Sequence, residues 1–166
     1  MKNTNHSLFD KYEMIKDLGT GSSGSVTLVR HISMDQERAL KKVPKSSAFA
    51  ESALSEARLL KSLEHPSIPR IFDFEEDNAF YYIVEEYIDG ETLDSFLLHQ
   101  QLISPGLFFN ICEQLCNVFI YLHTQISTPI IYRDLKPEDI IVCHNKLYLI
   151  DFGVSAYVIQ DGNNFN

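Results

Sequence analysis

Lys41 lies inside an apolar, strand-like run with Ala39 two residues earlier, so the two share one face of the strand. An ammonium pointing inward from such a face is costly unless a counter-charge meets it. Glu56 supplies one, because it interrupts the apolar inner face of the only helical segment nearby. Upstream, Gly19-Thr20-Gly21-Ser22-Ser23-Gly24-Ser25-Val26 sets three glycines between two strand-like runs. Glycines there let the backbone approach an anion such as phosphate closely and leave N–H donors uncovered. Val26 is an apolar residue of the kind that can lie over a purine ring. Far downstream, Tyr132-Arg133-Asp134-Leu135-Lys136-Pro137-Glu138-Asp139 and Asp151-Phe152-Gly153 gather carboxylates and a lysine into two short loops. Taken singly, a glycine turn is an ordinary hairpin, and a lone Lys or Glu is usually a solvated charge on a snorkelling stem. Their combination points to phosphate chemistry.

These residues need elements to hold them. Short alternation predicts strands over Tyr12–Leu18, Val26–Arg30 and Glu37–Val43, with the glycine turn joining the first two. No helix opens at the glycines, which excludes a βαβ dinucleotide fold. Residues 48–64 read as a helix, with Ala53, Glu56, Leu60 and Leu63 on one face and His65-Pro66 ending it. Strands follow at Arg70–Phe74 and Phe80–Glu85, and Ile88-Asp89-Gly90 marks a break. Beyond it, Thr92–His99 is a short helix, and Ser104-Pro105 is an N-cap with proline at the first helical position. Leu107, Phe108, Ile111, Leu115, Val118, Phe119 and Leu122 then predict a long, deeply buried helix over 105–124. Ile140–Cys143 and Leu147–Ile150 read as short strands around His144-Asn145-Lys146. The polar ends, 1–11 and 159–166, read as a flexible start and a frayed tail.

The glycine turn, Ala39-Leu40-Lys41, Arg133-Asp134-Leu135-Lys136-Pro137-Glu138 and Asp151-Phe152-Gly153 occur in the order of the protein-kinase signature set. The chain resembles the N-terminal portion of eukaryotic-type serine/threonine protein kinases over residues 12–158, and the catalytic loop is its most specific part. The resemblance implies an α+β, two-lobed protein-kinase-like fold. Its small lobe of antiparallel sheet plus one helix (12–87) would be complete, and its large helical lobe (88–158) truncated. It implies the cofactors ATP and Mg²⁺, bound in the cleft between lobes, and a protein substrate with a Ser or Thr acceptor. Asp134 would receive the acceptor's proton and Lys136 steady the γ-phosphate; Lys41, positioned by Glu56, would hold the α- and β-phosphates. Leu18, Gly19, Thr20, Gly21, Ser22, Ser23, Gly24, Ser25, Val26, Ala39, Glu86, Ile88 and Ile141 would complete the nucleotide site. Glu86 to Ile88 would be the hinge and Glu85 the gatekeeper behind adenine. Asp139 and Asp151 would hold the metal, and Arg133 resembles the residue that grips a phosphorylated activation segment.

Three departures stand out. Position 139 is Asp where the family pattern has Asn, which still offers Mg²⁺ a hard oxygen but adds negative charge. Tyr132 replaces the usual His. No Ala-Pro-Glu element follows Asp151-Phe152-Gly153, so the expectation is that this chain alone transfers little or no phosphate. A partner chain would then cover the open part of the large lobe. The rival from another class is a catalytically silent, kinase-derived module that binds nucleotide or protein. A small-molecule phosphotransferase of similar fold fits less well, since that family tends to show His-Gly-Asp in the loop.

Bulk properties agree with a globular domain. The 166 residues are 45% hydrophobic and 11% aromatic, enough for a packed core. A net charge of −9 disfavours nonspecific nucleic-acid or anionic-membrane binding. Three cysteines without framework spacing read as reduced thiols in the cytoplasm. No apolar run reaches the length of about 18 residues expected of a membrane helix.

Overall fold

A computed structural model describes residues 8–21, 24–100, 102–125 and 128–158. The described residues form two compact units, one up to Leu63 together with Pro69–Tyr87, the other Glu64–Ile68 together with the residues from Ile88 onward.

The first unit opens with a helical turn, α1 (Leu8–Lys11), where the sequence suggested a loose start. Leu8 is only 1% exposed and packs with Tyr12, Val29, Leu40, Tyr82 and Val84. The backbone N–H of Leu8 donates to Glu75, and the Lys11 ammonium sits 2.9 Å from Asp73. One apolar side chain and two polar ties thus order a segment whose composition looked disordered. Strands β1 (Tyr12–Gly21), β2 (Gly24–His31) and β3 (Gln36–Pro44) follow, then helix α2 (Ala50–Lys61), β4 (Ile71–Glu76) and β5 (Phe80–Glu86). The five strands make one antiparallel sheet in the order β1-β2-β3-β5-β4. One face carries the Leu8 cluster; the other packs Val43 and Ile83 against Ala53 and Ala57 of α2. Helix α2 ends earlier than the pattern suggested, because the Ser62 hydroxyl and backbone N–H both donate to the Leu59 carbonyl and tighten the last turn. Leu63 stays buried nonetheless.

The second unit contains β6 (Glu91–Thr92), α3 (Leu93–Leu98), α4 (Pro105–Ile120), β7 (Ile130–Ile131), β8 (Ile140–Cys143), β9 (Lys146–Leu149) and β10 (Ala156–Tyr157). Strands β6, β8 and β9 form one antiparallel sheet, β7 and β10 a second small one. The β8–β9 hairpin closes at His144 and Asn145, both with positive φ (48° and 63°), so Lys146 pairs with Cys143 and β9 begins one residue earlier than expected. Gly90 is demanded by packing: a Cβ there would fall 2.3 Å from the Val142 carbonyl oxygen.

Helix α4 starts as the sequence indicated, with Ser104 Oγ accepting from the Leu107 N–H. It runs to Ile120 and continues as a π-helical turn, Tyr121–Gln125, in which Leu122 is fully buried. The expectation of deep burial is corrected. Within α4 only Val118 is buried, whereas Phe108 and Phe109 are largely exposed. The helix is tied to the β8–β9 hairpin through Gln114, which donates to the Asn145 carbonyl and accepts from the Leu147 N–H. Its start is not covered by the described residues. Among the described residues no helix is long and apolar enough to cross a membrane.

Leu8→Ala should lower unfolding stability by about 2–3 kcal/mol through the cavity it leaves. Leu102→Ala, at a side chain 88% exposed, should change it by less than about 0.5 kcal/mol. Denaturant melts of the two variants check both.

Candidate active site

In the first unit the β3 register fixes Lys41. It pairs with Val26 of β2 and Ile83 of β5, on the sheet face that α2 covers. Small Ala53 and Ala57 bring α2 close, and Glu56 between them reaches Lys41 with Nζ–Oε2 2.6 Å. The Glu56 side chain is 4% exposed. Removing either partner would strand a buried charge, whereas apolar residues could replace the pair at little cost. Stability therefore does not explain its presence.

The glycine turn divides into two kinds of glycine. At Gly24, φ is +148° and a Cβ would lie 2.1 Å from the Lys42 carbonyl oxygen, so the fold itself requires glycine. At Gly19 and Gly21 a Cβ would meet nothing within 4 Å. Packing within the chain does not require those two, and the space beside them is open, although the Gly19 N–H donates to Asp17 Oδ1 at 3.3 Å. Thr20 and Leu18 are exposed, Ser25 and Val26 half-buried, and Ala39 buried. Ser22 and Ser23 lie outside the described residues. Glu86 ends β5, its N–H donating to the Arg70 carbonyl. Ile88 is buried, and its carbonyl accepts from Gly90. Ile141 sits in β8, opposite Tyr148 and Thr92.

In the second unit Arg133 has φ +76°, and the Asp134 N–H donates to the Tyr132 carbonyl at 3.1 Å. This is a γ-turn of the rarer, strained hand, and it points the loop outward immediately before Asp134. Tyr132 anchors the turn from inside: it is buried and packs edge-on against Phe152, ring centroids 5.1 Å apart. Asp134 Oδ2 and Lys136 Nζ are 2.6 Å apart, and both side chains are about half exposed (53% and 54%). The hydrogen bond to Asp134, then its charge, holds the Lys136 ammonium above its ordinary range.

A short 3-10 turn, Pro137–Asp139, follows, and the Ile150 N–H donates to the Asp139 carbonyl at 2.9 Å. That bond ties Asp139 to the end of β9, immediately before Asp151. Burial raises the Asp139 carboxyl's pKa above the ordinary value, and the Asp151 charge raises it further. Asp151 Oδ1 accepts from the Gly153 N–H at 2.8 Å, which fixes its orientation. Among the described residues no three His, Cys, Asp or Glu side chains cluster as a metal cage. Mg²⁺ commonly takes one or two carboxylates with water and phosphate completing its shell, and two mutually repelling carboxylates suit that role.

Sequence reasoning did not foresee how much of this loop hangs on Tyr132. The Ser155 hydroxyl also donates to the Tyr132 carbonyl, and β10 pairs with β7 just before it. Two-residue strands carry no periodicity, so nothing in the pattern could have announced them.

The protein kinase domain family profile matches residues 12–165. Serine/threonine-protein kinase PrkC of Bacillus subtilis is 31% identical over 151 residues, covering 88% of this chain and 23% of that protein. Calcium-dependent protein kinase 4 of Plasmodium falciparum is 34% identical over 172 residues, covering 95% and 31%. cAMP-dependent protein kinase type 3 of Saccharomyces cerevisiae is 34% identical over 158 residues, covering 92% and 39%. The chain thus spans between 23% and 39% of the length of these relatives.

Asp139→Asn tests the cost of holding a half-buried carboxylate beside Asp151. Because the folded-state pKa is raised, the ionised carboxylate weakens the fold at neutral pH, and the penalty fades as pH falls toward the ordinary value of 3.8. Thermal melts should show the Asn variant more stable than the parent at pH 7, with the difference shrinking toward pH 4.

Proposed function

The chain belongs to the protein kinase domain family, and from that premise we propose that it serves ATP-dependent phosphorylation of Ser or Thr side chains in proteins, as a non-specific serine/threonine protein kinase. The observation that carries this reading is the Asp134–Lys136 pair, a carboxylate and an ammonium 2.6 Å apart and both open to solvent. Asp134 would accept the proton of the acceptor hydroxyl, and Lys136 beside it would meet negative charge on the transferring group. ATP, when bound, supplies the phosphoryl group and Mg²⁺ neutralises its oxygens. Gly21 would let the backbone come close to the phosphates, the Gly19 N–H being donated to Asp17 Oδ1, and Lys41, steadied by Glu56, would add a fixed positive charge. Leu18, Val26, Ala39, Glu86, Ile88 and Ile141 are the proposed base-side residues. Asp139 and Asp151 would hold the metal. Cys112, Cys116 and Cys143 are free thiols, and the cytoplasm is the proposed compartment.

A second reading, a silent nucleotide-binding module, draws on one observation. Asp139 stands where the family has Asn, and its burial, then the Asp151 charge, opposes its ionisation. Placement is unforgiving, since a displacement of about 1 Å can lower a rate roughly a hundredfold.

Radiolabelled phosphate transfer to a Ser/Thr protein substrate separates the two. Transfer that falls by about 10²- to 10⁴-fold in Asp134→Ala supports the kinase reading. Nucleotide binding without transfer supports the silent module. Calorimetric titration with Mg-ATP should show weaker binding by Lys41→Met and Asp151→Asn than by the parent; equal affinity in all three would overturn the site itself.

A further inference from the structure

We propose that Glu85 is a second positioning carboxylate for Lys41, so that this ammonium is shared between Glu56 and Glu85. The inference rests on reading Lys41 as the phosphate-holding lysine, and it gives Glu85, expected at the gatekeeper place behind adenine, an electrostatic role toward that lysine.

The sheet register carries it. Ala39 pairs with Glu85 and Lys41 with Ile83 across the antiparallel β3–β5 ladder. Residues directly opposite share a face, and so do residues two apart on one strand. Lys41 and Glu85 are therefore diagonal neighbours on one face, at a typical separation of about 7–8 Å, within reach of two long side chains. The face is identified independently: Ile83 and Val43 pack on α2, whereas Leu40, Tyr82 and Val84 pack on the opposite side with Leu8. Glu85 thus lies on the α2 side, where Glu56 meets Lys41 at 2.6 Å.

A carboxylate at that place needs a reason. Glutamate is disfavoured in strand interiors, and Glu85 is half-buried beside fully buried Val84 and opposite buried Ala39. Strand β3 puts one cation on this face, Lys41; its neighbours Arg38 and Lys42 alternate to the other side. The registers also place on this face Glu37 of β3, Tyr81 of β5, Glu76 of β4, which pairs with Lys45 at 2.7 Å, and Glu13 and Lys16 on the outer strand β1, while Glu56 reaches it from α2. On β2 the nearest charge on the face is Arg30, at the far end and paired with Asp35. Arg70, just before β4, is exposed. A lysine ammonium has three N–H donors, enough for both carboxylates.

Two consequences follow. The second carboxylate stabilises the charged form of Lys41, and it opposes the approach of a further anion. Removing its charge should make Lys41 easier to deprotonate and should make phosphate binding tighter. An apolar side chain at this position would show neither effect.

The test is peptide-resolved mass spectrometry of lysine labelling on the full chain, run from pH 7 to pH 10. Glu85→Gln should label Lys41 roughly three- to tenfold faster than the parent near pH 8, because the neutral amine is more populated. Glu56→Gln should accelerate it as well, while labelling at exposed Lys16 stays constant. Calorimetry should show Mg-ATP binding Glu85→Gln severalfold tighter than the parent, with adenosine affinity unchanged. Unchanged Lys41 labelling in Glu85→Gln, with acceleration in Glu56→Gln, would overturn the proposal and leave Lys41 to Glu56 alone. If Glu85→Gln does not fold, Glu85→Leu, better suited to a sheet face, carries the same comparison. The labelling arm needs no nucleotide. If Lys41→Met leaves Mg-ATP affinity intact, the nucleotide-site reading fails while labelling still decides whether Glu85 holds Lys41.

Discussion

A carboxylate buried as deeply as that of Glu56 has to find a counter-charge, and in the first unit this requirement organises everything near it. Helix α2 must turn one face to the sheet, alanines must let it come close, and β3 must hold Lys41 on the covered side. The apolar contacts of Ala53, Ala57, Val43 and Ile83 supply the stability, and the ion pair sets the alignment. An apolar pair in the same place would hold the helix equally well. What it would lose is a cation of fixed position, paired across the ladder with Val26.

The second unit solves a different problem: how to present charges to solvent from a rigid base. Its base is aromatic and aliphatic, with Tyr132 against Phe152 and both fully enclosed. From it the chain leaves through a strained turn at Arg133, and the next polar side chain, Asp134, comes out beside Lys136. The same base sets Asp139 beside Asp151, because a single backbone bond from Ile150 to the Asp139 carbonyl joins the two loops. Burial, and after it the charge of Asp151, raises the pKa of the Asp139 carboxyl. Such an arrangement is poor for stability and well suited to a cation.

Helix α4 carries the opposite lesson about apolar residues. Its periodicity is strong, yet the side chains at its start stand in solvent, with Phe109 67% exposed. Periodicity reports which residues share a face; it does not report what that face meets. Within the helix only Val118 is buried, and Gln114, midway along it, ties it to the β8–β9 hairpin by hydrogen bonds with Asn145 and Leu147.

Much of the fold and of the candidate site was legible in the residues alone. The alternation of β3, the Ala53-Glu56-Leu60 face of α2, the Ser104 cap and the order of the loops all follow from local periods and local chemistry, which one chain segment expresses by itself. The pairing of Lys41 with Glu56 was also within reach, because an inward charge on a strand and an inward charge on the adjoining helix imply each other. Other features depended on residues distant in sequence meeting in space. Leu8 is ordered only because the sheet offers it an apolar pocket and Glu75 a carboxylate, 67 positions along the chain. The distinction between Gly24 and its two neighbours exists only once β3 passes beneath the turn, since it is the Lys42 carbonyl that excludes a side chain. Short strands such as β7 and β10 have too few residues to carry a period and form only because their partners arrive. Local sequence determines which groups a segment offers and on which face; tertiary structure decides which of them are enclosed, and burial turns a charge into a constraint.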